Sequence, residues 1–478
     1  MMTSPSTQLR KIASGTGFAS LSSALHGEVI LPGDAAYETA RRIWNGAIDR
    51  RPALIVRCVD ASDVRRAVEF GRQSHLDIAV RGGGHNFPGF STCDDGLVID
   101  LSPMKAVSVN VPERWARAEP GLTLGELVQA TQAHGLGTNT GTASDTGIAG
   151  LTLGGGVGWL MGRYGLTCDN VRSFDVVTAD GRLVRANATE NPDLYWGLRG
   201  GGGNFGIVTA FEYQLHPLGT ILGGLVVHPL SQARAVLSFY RDLTRELPDE
   251  LTVACAVLTG PDGDPVIGFV ACYCGDLSEG ERVLAPLRQF GPPLVDRIQP
   301  MPYAGLFALL DPSVPAGRCY YVKGSGIEAL SDEAIDALVD SAEGMTSTYS
   351  QLVLMPVHGA ATRVGESETA FVYRQAHLEV LHLAAWEPEA SDLQQPGRDQ
   401  HVQWARRSWQ ALQPLAAQRA YVNFLDDEGT ARVRAAYGPN YERLVALKTK
   451  YDPDNLFHLN QNIKPESSAT AGAPNLKG

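Results

Sequence analysis

Three consecutive glycines followed by a histidine form the segment of this chain that points most directly to chemistry. The segment is Arg81-Gly82-Gly83-Gly84-His85-Asn86, and the apolar run 76–80 precedes it as a short strand precedes a binding loop. Because glycine has no Cβ, a diphosphate can closely approach the main-chain amides of such a loop. The imidazole of His85 then stands where the rest of a nucleotide cofactor would lie. The alternative is a tight turn with an incidental histidine.

Two further glycine clusters favour the cofactor interpretation. Residues 147–159 contain six glycines, and residues 199–208 contain a run of four followed by Asn204, Phe205 and Gly206. Three such clusters within about 130 residues are too many to be explained by turns alone. A long ligand that lies against the main chain at several points explains them better.

The third cluster formally matches the GxGxxG pattern of a dinucleotide-binding loop. In that fold the loop opens a helix, and an acidic residue follows about 20 residues later. Here residues 207–213 alternate like a strand, and residues 222–230 contain no acid. The sequence therefore argues against a Rossmann-type NAD site.

Composition excludes several classes of function. The chain has 478 residues, enough for two or three domains. A net charge of −12 without a dense basic run argues against a nucleic-acid partner. No apolar stretch could span a membrane, and the N-terminus lacks the h-region of a secretory signal. Seven scattered cysteines and the absence of a metal-ligand spacing predict reduced thiols, no metal site and a cytoplasmic location.

The elements that must position these loops alternate between strand and helix in the first half of the chain. A helix is expected behind a Ser62 or Asp63 cap, and Thr123-Leu124-Gly125-Glu126 forms a capping box that opens another. Near Gly219 the pattern changes to alternating strands with intervening helices. A strand is expected again around 420–424, and a final amphipathic helix over 441–451.

Several motifs together resemble the berberine-bridge-enzyme-like flavoproteins of the vanillyl-alcohol-oxidase superfamily. They are RGGGHN at 81–86, GLTLGGGVGWL at 150–160 and GGGNFGIVT at 201–209, with Tyr421-Val422-Asn423 and Asn460-Gln461-Asn462-Ile463 near the C-terminus. The resemblance covers about residues 50–465 and is greatest to the bacterial 6-hydroxynicotine-oxidase-like branch. It implies an FAD-dependent oxidoreductase.

The resemblance also implies an α+β fold: a two-part PCMH-type FAD-binding domain plus a substrate domain with an antiparallel sheet backed by helices. The division it implies is an N-terminal lead-in over 1–48, the FAD-binding domain over 49–217, the substrate-binding domain over 218–414, a berberine-bridge-like segment returning to the FAD domain over 415–465, and a disordered tail over 466–478. The composition change near Gly219 and the Ser-, Ala-, Gly- and Pro-rich tail agree with this division.

By analogy with the family, His85 carries an 8α-histidyl bond to FAD, with purely non-covalent contact as the alternative. Some members add a cysteinyl bond, but Ala143 occupies that position here, so one covalent bond is predicted. Such attachment retains the flavin and makes it a stronger oxidant. The residues expected to contact the cofactor are Arg81, Gly82, Gly83, Gly84, His85, Ser91, Thr92, Thr146, Gly147, Gly150, Gly156, Val208, Asn460 and Asn462.

For the reaction, the resemblance implies hydride transfer to FAD with removal of a substrate proton. Tyr421 is the candidate base, with Asn423 as a hydrogen-bonding neighbour; a structural hydroxyl is the alternative for Tyr421. A tyrosine with a pKa of about 10 needs a cation or hydrogen-bond donor nearby to ionise near neutrality. The candidates for contacts with a polar substrate, which are otherwise ordinary surface charges, are His358, Arg363 and Arg374.

The electron acceptor decides between two classes of flavoenzyme. Thr146 stands where a small residue gives O2 access in this family, which favours an oxidase that acts on an alcohol, sugar or amine of a small molecule and releases H2O2. The alternatives are a flavin dehydrogenase or oxidative cyclase with another acceptor, and a flavin-binding protein without turnover. No membrane or nucleic-acid partner is expected, and the oligomeric state stays open.

Overall fold

The protein combines three main β-sheets with helices that cover them. The computed structural model describes residues 16–388, 396–417 and 419–466. Its strands are β1 Glu28–Ile30, β2 Leu54–Arg57, β3 Ile78–Arg81, β4 Leu97–Asp100, β5 Val107–Asn110, β6 Trp115–Ala118, β7 Leu136–Gly137, β8 Val171–Val177, β9 Leu183–Asn187, β10 Ile207–Gln214, β11 His216–Pro217, β12 Ile221–Pro229, β13 Leu251–Thr259, β14 Pro265–Tyr273, β15 Val295–Asp296, β16 Gln299–Met301, β17 Cys319–Ile327, β18 Gln351–Val357 and β19 His377–Trp386.

The α-helices of the same residues vary from one turn to five. They are α1 Thr16–Ala24, α2 Tyr37–Ala40, α3 Ala61–Gln73, α4 Leu124–Gln132, α5 Ile148–Leu153, α6 Met161–Tyr164, α7 Pro192–Leu198, α8 Ala233–Thr244, α9 Leu277–Gln289, α10 Tyr303–Leu310, α11 Asp332–Glu343, α12 Ala360–Arg363, α13 Pro396–Leu412, α14 Thr430–Tyr437 and α15 Tyr441–Tyr451. None of these described helices is long and apolar enough to cross a membrane.

A four-stranded sheet in the order β1-β2-β4-β3 carries the first glycine loop at its edge. Strands β2, β4 and β3 are parallel, as helix α3 between β2 and β3 requires. The cap of α3 is Asp60, which accepts hydrogen bonds from the amides of Ser62 and Asp63, so the predicted cap was wrong by two or three residues. Strand β1 pairs antiparallel with β2, and the expected lead-in is therefore partly built into this sheet.

A five-stranded antiparallel sheet in the order β5-β6-β10-β8-β9 forms the second layer. Its core includes Phe174 and Phe211, which are fully buried. Helix α15, near the C-terminus, contributes Leu444 and Tyr451 to the same core, which brings the end of the chain back to this sheet. Helix α4 begins with the predicted capping box between Thr123 and Glu126.

Residues 221–386 form an eight-stranded antiparallel sheet in the order β15-β12-β14-β13-β18-β19-β17, with β16 beside β12. Side chains of α8, α9, α11 and α13 pack on one face of it, and the other face meets the segment 157–168. These sheets and helices confirm the predicted α+β fold with an antiparallel sheet backed by helices.

The C-terminal segment differs from expectation at one point. The stretch expected to be a strand around 420–424 contains a 3-10 turn, Val422–Phe424, because Tyr421 and Asn423 turn towards the second glycine cluster rather than pair in a ladder. Apart from residue 466, the tail predicted to be disordered lies outside the described residues.

Candidate active site

Arg81 closes the strand that leads into the first glycine loop, and its side chain holds the sheet together. The guanidinium donates to Asp100 at 2.7 and 3.2 Å and to the carbonyl of Ala40 at 2.6 Å. In the register of the parallel strands Arg81 lies beside Asp100, and only 7% of Arg81 is exposed. Its side-chain donors therefore fix the base of the loop, and contact of Arg81 with the cofactor stays a prediction.

The first and second glycine clusters come closest to each other at Gly83 and Gly147. A Cβ on Gly83 would lie 2.4 Å from the main-chain nitrogen of Gly147, and a Cβ on Gly147 would lie 2.4 Å from that of Gly83. No side chain can be accommodated at such a distance, so glycine is required on both sides. The contact brings the two loops that sequence assigned to the cofactor to one place.

His85 follows this contact and is held by the second loop. Its Nδ1 lies 3.3 Å from Oγ1 of Thr146, and its Nε2 lies 3.2 Å from a carboxylate oxygen of Asp145. The ring also stacks on Trp44, with 4.6 Å between ring centroids. Sequence analysis missed Asp145 and Trp44. Asp145 could have been found from its position next to Thr146, which was already a candidate residue. No local sequence feature marks Trp44.

The hydroxyl oxygen of Tyr421 is the meeting point of three N–H donors. The amides of Gly156 and Val157 lie 3.0 and 3.4 Å from it, and Nδ2 of Asn423 lies 2.8 Å from it. Nδ2 of Asn423 also donates to the carbonyl of Leu151, which accepts only and so fixes the orientation of the amide. Gly156 has a φ of +88°, a conformation that favours glycine and that aims its amide at Tyr421.

These donors do not make Tyr421 acidic. Burial raises the pKa of Tyr421 to about 12, although the hydrogen bonds from Asn423 and the two amides oppose this rise. Among the described residues no acceptor faces the Tyr421 proton. Tyr421 is therefore protonated near neutral pH, with a proton available to a heteroatom of a bound molecule.

Several side chains expected to contact FAD are buried without a partner in the described structure. They include the hydroxyls of Ser91 and Thr92 and the amide oxygens of Asn460 and Asn462. A buried polar atom without a partner costs about 1–3 kcal/mol, so such a set is typical of a site that a polar ligand completes. The residues present therefore fit FAD. Val208 differs, because its side chain lies in the apolar core of the five-stranded sheet.

The third glycine cluster anchors the C-terminal motif. Asn204 donates to the carbonyl of Gln461 at 3.2 Å and accepts from the amide of Ile463 at 3.0 Å. Asn460 donates to the carbonyl of Gly203 at 3.3 Å. Strand β10 follows directly, as the argument against a Rossmann loop required.

A buried acid–base pair that the sequence analysis missed lies on strand β19. Nε2 of His377 is 2.9 Å from Oε1 of Glu379, both side chains are at most 1% exposed, and Oε2 of Glu379 has no partner among the described residues. Nδ1 of His377 lies 2.7 Å from the carbonyl of Gln375 and must carry a hydrogen. The contact between Nε2 and Oε1 therefore holds one proton, which either residue can carry. The sequence signal for this pair was Glu379, an acidic residue within a largely apolar strand.

This pair belongs to the sheet face that meets Tyr421. Glu379 lies opposite Met355 in the register of β18 and β19. The ring of Tyr373 stacks on His377 at 3.6 Å, and Tyr373, Met355 and Tyr421 share one apolar cluster. Burial raises the pKa of Tyr373, whose hydroxyl also has no partner in the described part of the chain.

The cationic candidates for substrate contact are occupied elsewhere or lack charge. Arg374 is buried and makes a bidentate pair with Asp169, with both distances 2.7 Å. Arg363 pairs with Asp249 at the surface. Burial lowers the pKa of His358 to about 4, so this side chain is neutral at pH 7. Geometry therefore assigns Arg374 and Arg363 to structural ion pairs.

Comparison with known proteins agrees with this geometry. A family model described as FAD binding domain matches residues 52–187, and one described as berberine and berberine-like matches residues 420–464. An FAD-linked oxidoreductase of Dictyostelium discoideum is 34% identical, with 92% of this chain and 95% of the relative covered. The (R)-6-hydroxynicotine oxidase of Paenarthrobacter nicotinovorans is 32% identical, with 93% and 98% covered.

A solved structure gives the same result. The crystal structure of 6-hydroxy-D-nicotine oxidase from Arthrobacter nicotinovorans superposes with a TM-score of 0.84 at 30% identity, covering 92% of this chain and 98% of that one. The predicted resemblance is thereby confirmed, and so is the prediction of an enzyme. This chain belongs to the berberine-bridge-like family of FAD-linked oxidoreductases.

Proposed function

We propose that this protein is an oxidase that removes a hydride from a CH–OH or CH–NH group of a small molecule, with O2 as the final acceptor and H2O2 as the product. The observation that carries the proposal is the Tyr421 hydroxyl, buried and held by three N–H donors at the second glycine cluster. Such a group is built to meet a substrate heteroatom, because its own proton has no acceptor in the described structure. A flavin-binding protein without turnover has no use for it.

FAD, when bound, accepts the hydride and passes the electrons on. The residues that would hold it are the main chain of 82–84 with Ser91 and Thr92, the loop around Gly147 and Gly150, Gly156, the main chain at Val208, and the amides of Asn460 and Asn462. His85 would carry the single covalent bond, since Ala143 offers no thiol. Support comes from the unpartnered polar atoms and from the contact between Gly83 and Gly147.

Two groups of this chain are candidates for moving the substrate proton: the Tyr421 hydroxyl, and the pair of His377 and Glu379. Burial raises the pKa of Tyr421 to about 12, so this residue is protonated at pH 7. It therefore orients the substrate heteroatom and ionises only in response to it. The pair of His377 and Glu379 already holds a proton that either residue can carry. The free Oε2 of Glu379 is therefore a second candidate for the base.

The choice of O2 rests on Thr146, which the resemblance to the family places where a small residue gives O2 access. Its hydroxyl oxygen lies 3.3 Å from Nδ1 of His85. A dehydrogenase or an oxidative cyclase using another acceptor is the alternative. The relatives indicate the compounds to test first, because their names refer to 6-hydroxynicotine, tetrahydroberberine and chitooligosaccharides. A small-molecule substrate and a cytoplasmic location stay predictions. The location is supported by the seven cysteines, which are buried and form no disulfide.

The experiment has two steps. The purified protein is precipitated with acid, and the flavin in the pellet is measured for the wild type and for His85→Ala. We expect a yellow pellet for the wild type, in which the peptide that contains His85 carries the added mass of the flavin. The His85→Ala pellet should be colourless. The compounds named above, with glucose added, are then screened for peroxide formation in air. Fast reduction of an artificial acceptor combined with slow peroxide formation would establish a dehydrogenase instead.

A further inference from the structure

The imidazole of His85 is held on three sides before any bond to a cofactor is considered. Trp44 covers one face of the ring, and Trp44 itself stacks on Tyr320 with 4.0 Å between centroids. Asp145 and Thr146 occupy the two ring nitrogens. The side chain of His85 is 17% exposed, and that of Asp145 is 45% exposed, so the acid has water on its far side.

The loop that carries Asp145 is fixed at both ends. The amide of Ser144 donates to Asp311 at 2.9 Å, and its hydroxyl donates to the same carboxylate at 2.5 Å. On the other side, Gly147 is in contact with Gly83 two residues before His85. The position of the carboxylate relative to the imidazole is thus set by the packing of both loops.

The contact with Asp145 determines which nitrogen of His85 is reactive. A carboxylate oxygen only accepts, so Nε2 must carry the hydrogen, and the neutral ring has its lone pair on Nδ1. A nucleophile whose proton is held by an adjacent base is the usual arrangement for covalent chemistry in proteins. Thr146 can donate its hydroxyl hydrogen to the Nδ1 lone pair until a bond forms there.

We infer that Asp145 is a positioning residue for the attachment of FAD to His85, fixing Nδ1 as the nitrogen that forms the bond. This inference rests on the proposed histidyl attachment. Nδ1 would form a bond to the carbon of the flavin 8-methyl group, and this carbon would release one proton to water. The Nε2 proton passes to Asp145 and on to water. The two electrons of the broken C–H bond, with two protons from water, would be taken up by the flavin ring system and removed by O2 as H2O2.

The test follows the rate of attachment, not turnover. Full-length protein is produced under riboflavin limitation, FAD is added in air, and acid-precipitable flavin is measured over time. For Asp145→Asn we expect attachment at least about tenfold slower, because the amide keeps the shape but takes no proton. Asp145→Glu, which restores the carboxylate, should recover part of the rate. Asp262→Asn, an exposed acid far along the chain in the turn before β14, is the matched control and should match the wild type.

Two further measurements separate the possible outcomes. The first is the amount of FAD that stays with the protein on a desalting column before acid treatment. This amount should agree within about twofold between the wild type and Asp145→Asn, since the predicted defect lies in bond formation. The flavin peptide of the wild type should carry its link on Nδ1 by NMR. Equal attachment rates, loss of non-covalent FAD in Asp145→Asn, or a link on Nε2 would each overturn the role of Asp145. A wild type that releases all its flavin would overturn the tether itself, and the role of Asp145 with it.

Discussion

Replacement of Tyr421 by phenylalanine tests the central feature of the site and changes two quantities at once. The hydroxyl accepts from Gly156, Val157 and Asn423, and all three donors lose their acceptor in the variant. A buried donor left unpaired costs about 1–3 kcal/mol, and the 3.4 Å contact of Val157 contributes least. Counting the two shorter contacts at this cost, we expect Tyr421→Phe to lower the free energy of unfolding by about 2–6 kcal/mol.

The expected effect on catalysis is separate from the effect on stability. A positioned acid–base group contributes about 10²–10⁴-fold to a rate, which corresponds to roughly 3–5 kcal/mol of activation free energy. We expect kcat/KM of Tyr421→Phe, normalised to attached flavin, to be about 10²–10⁴-fold lower than that of the wild type. The assay is peroxide formation with the compound that gives the fastest rate in the screen, supported by anaerobic reduction of the flavin followed in a stopped-flow instrument.

Tyr240→Phe is the matched control for the loss of a buried hydroxyl. Tyr240 is fully buried on the far face of the eight-stranded sheet, and its hydroxyl donates to the carbonyls of Val253 and Leu354. Its replacement should cost about 0.5–1.5 kcal/mol of stability and leave kcat/KM unchanged. If Tyr421→Phe retained kcat/KM within about threefold while losing stability, Tyr421 would be a structural residue and the mechanism would be wrong. A loss of activity in Tyr240→Phe would show that destabilisation alone reduces turnover.

Three further changes probe the cofactor surface, the proton pair and the buried histidine. A Cβ on Gly150 in helix α5 meets no atom within 4 Å, so Gly150→Ala should raise the free energy of unfolding of the FAD-free protein by about 0.5–1 kcal/mol. The same methyl group should reduce the amount of flavin bound per protein. An unchanged flavin content would place FAD elsewhere. Glu379→Gln should lower kcat/KM by about 10²-fold or more with flavin attachment intact, and full turnover would remove Glu379 from proton transfer. For His358 the folded pKa of about 4 lies below the unfolded value, so the unfolded chain binds more protons and stability falls as pH falls through the range from about 6.5 to 4. Urea titrations at pH 7 and pH 5 should show about 2 kcal/mol of this loss in the wild type, and less in His358→Leu; an equal loss in both would refute the assignment.

The sequence by itself determined the parts of the site whose chemistry is local. Glycine is needed wherever main chain or ligand comes too close for a Cβ, so the clusters at 81–86, 147–159 and 199–208 predict a cofactor surface, and the structure brings the first two into contact at Gly83 and Gly147. The resemblance to the family predicted Asn423 as a hydrogen-bonding neighbour of Tyr421, and the two are hydrogen-bonded. The alternation over 207–213 predicted strand β10 because side-chain period is also a local property.

Only the tertiary structure decided which of these residues meet. Gly83 and Gly147 face each other across two loops, and the amide of Gly156 reaches Tyr421 across 265 residues of chain. The guanidinium of Arg81 pairs with Asp100, since the parallel register of β3 and β4 places the two residues side by side. A pattern of residue types fixes the period and the local caps of an element. The partner of a buried polar group is set by how distant elements pack, because that packing decides where a donor finds its acceptor.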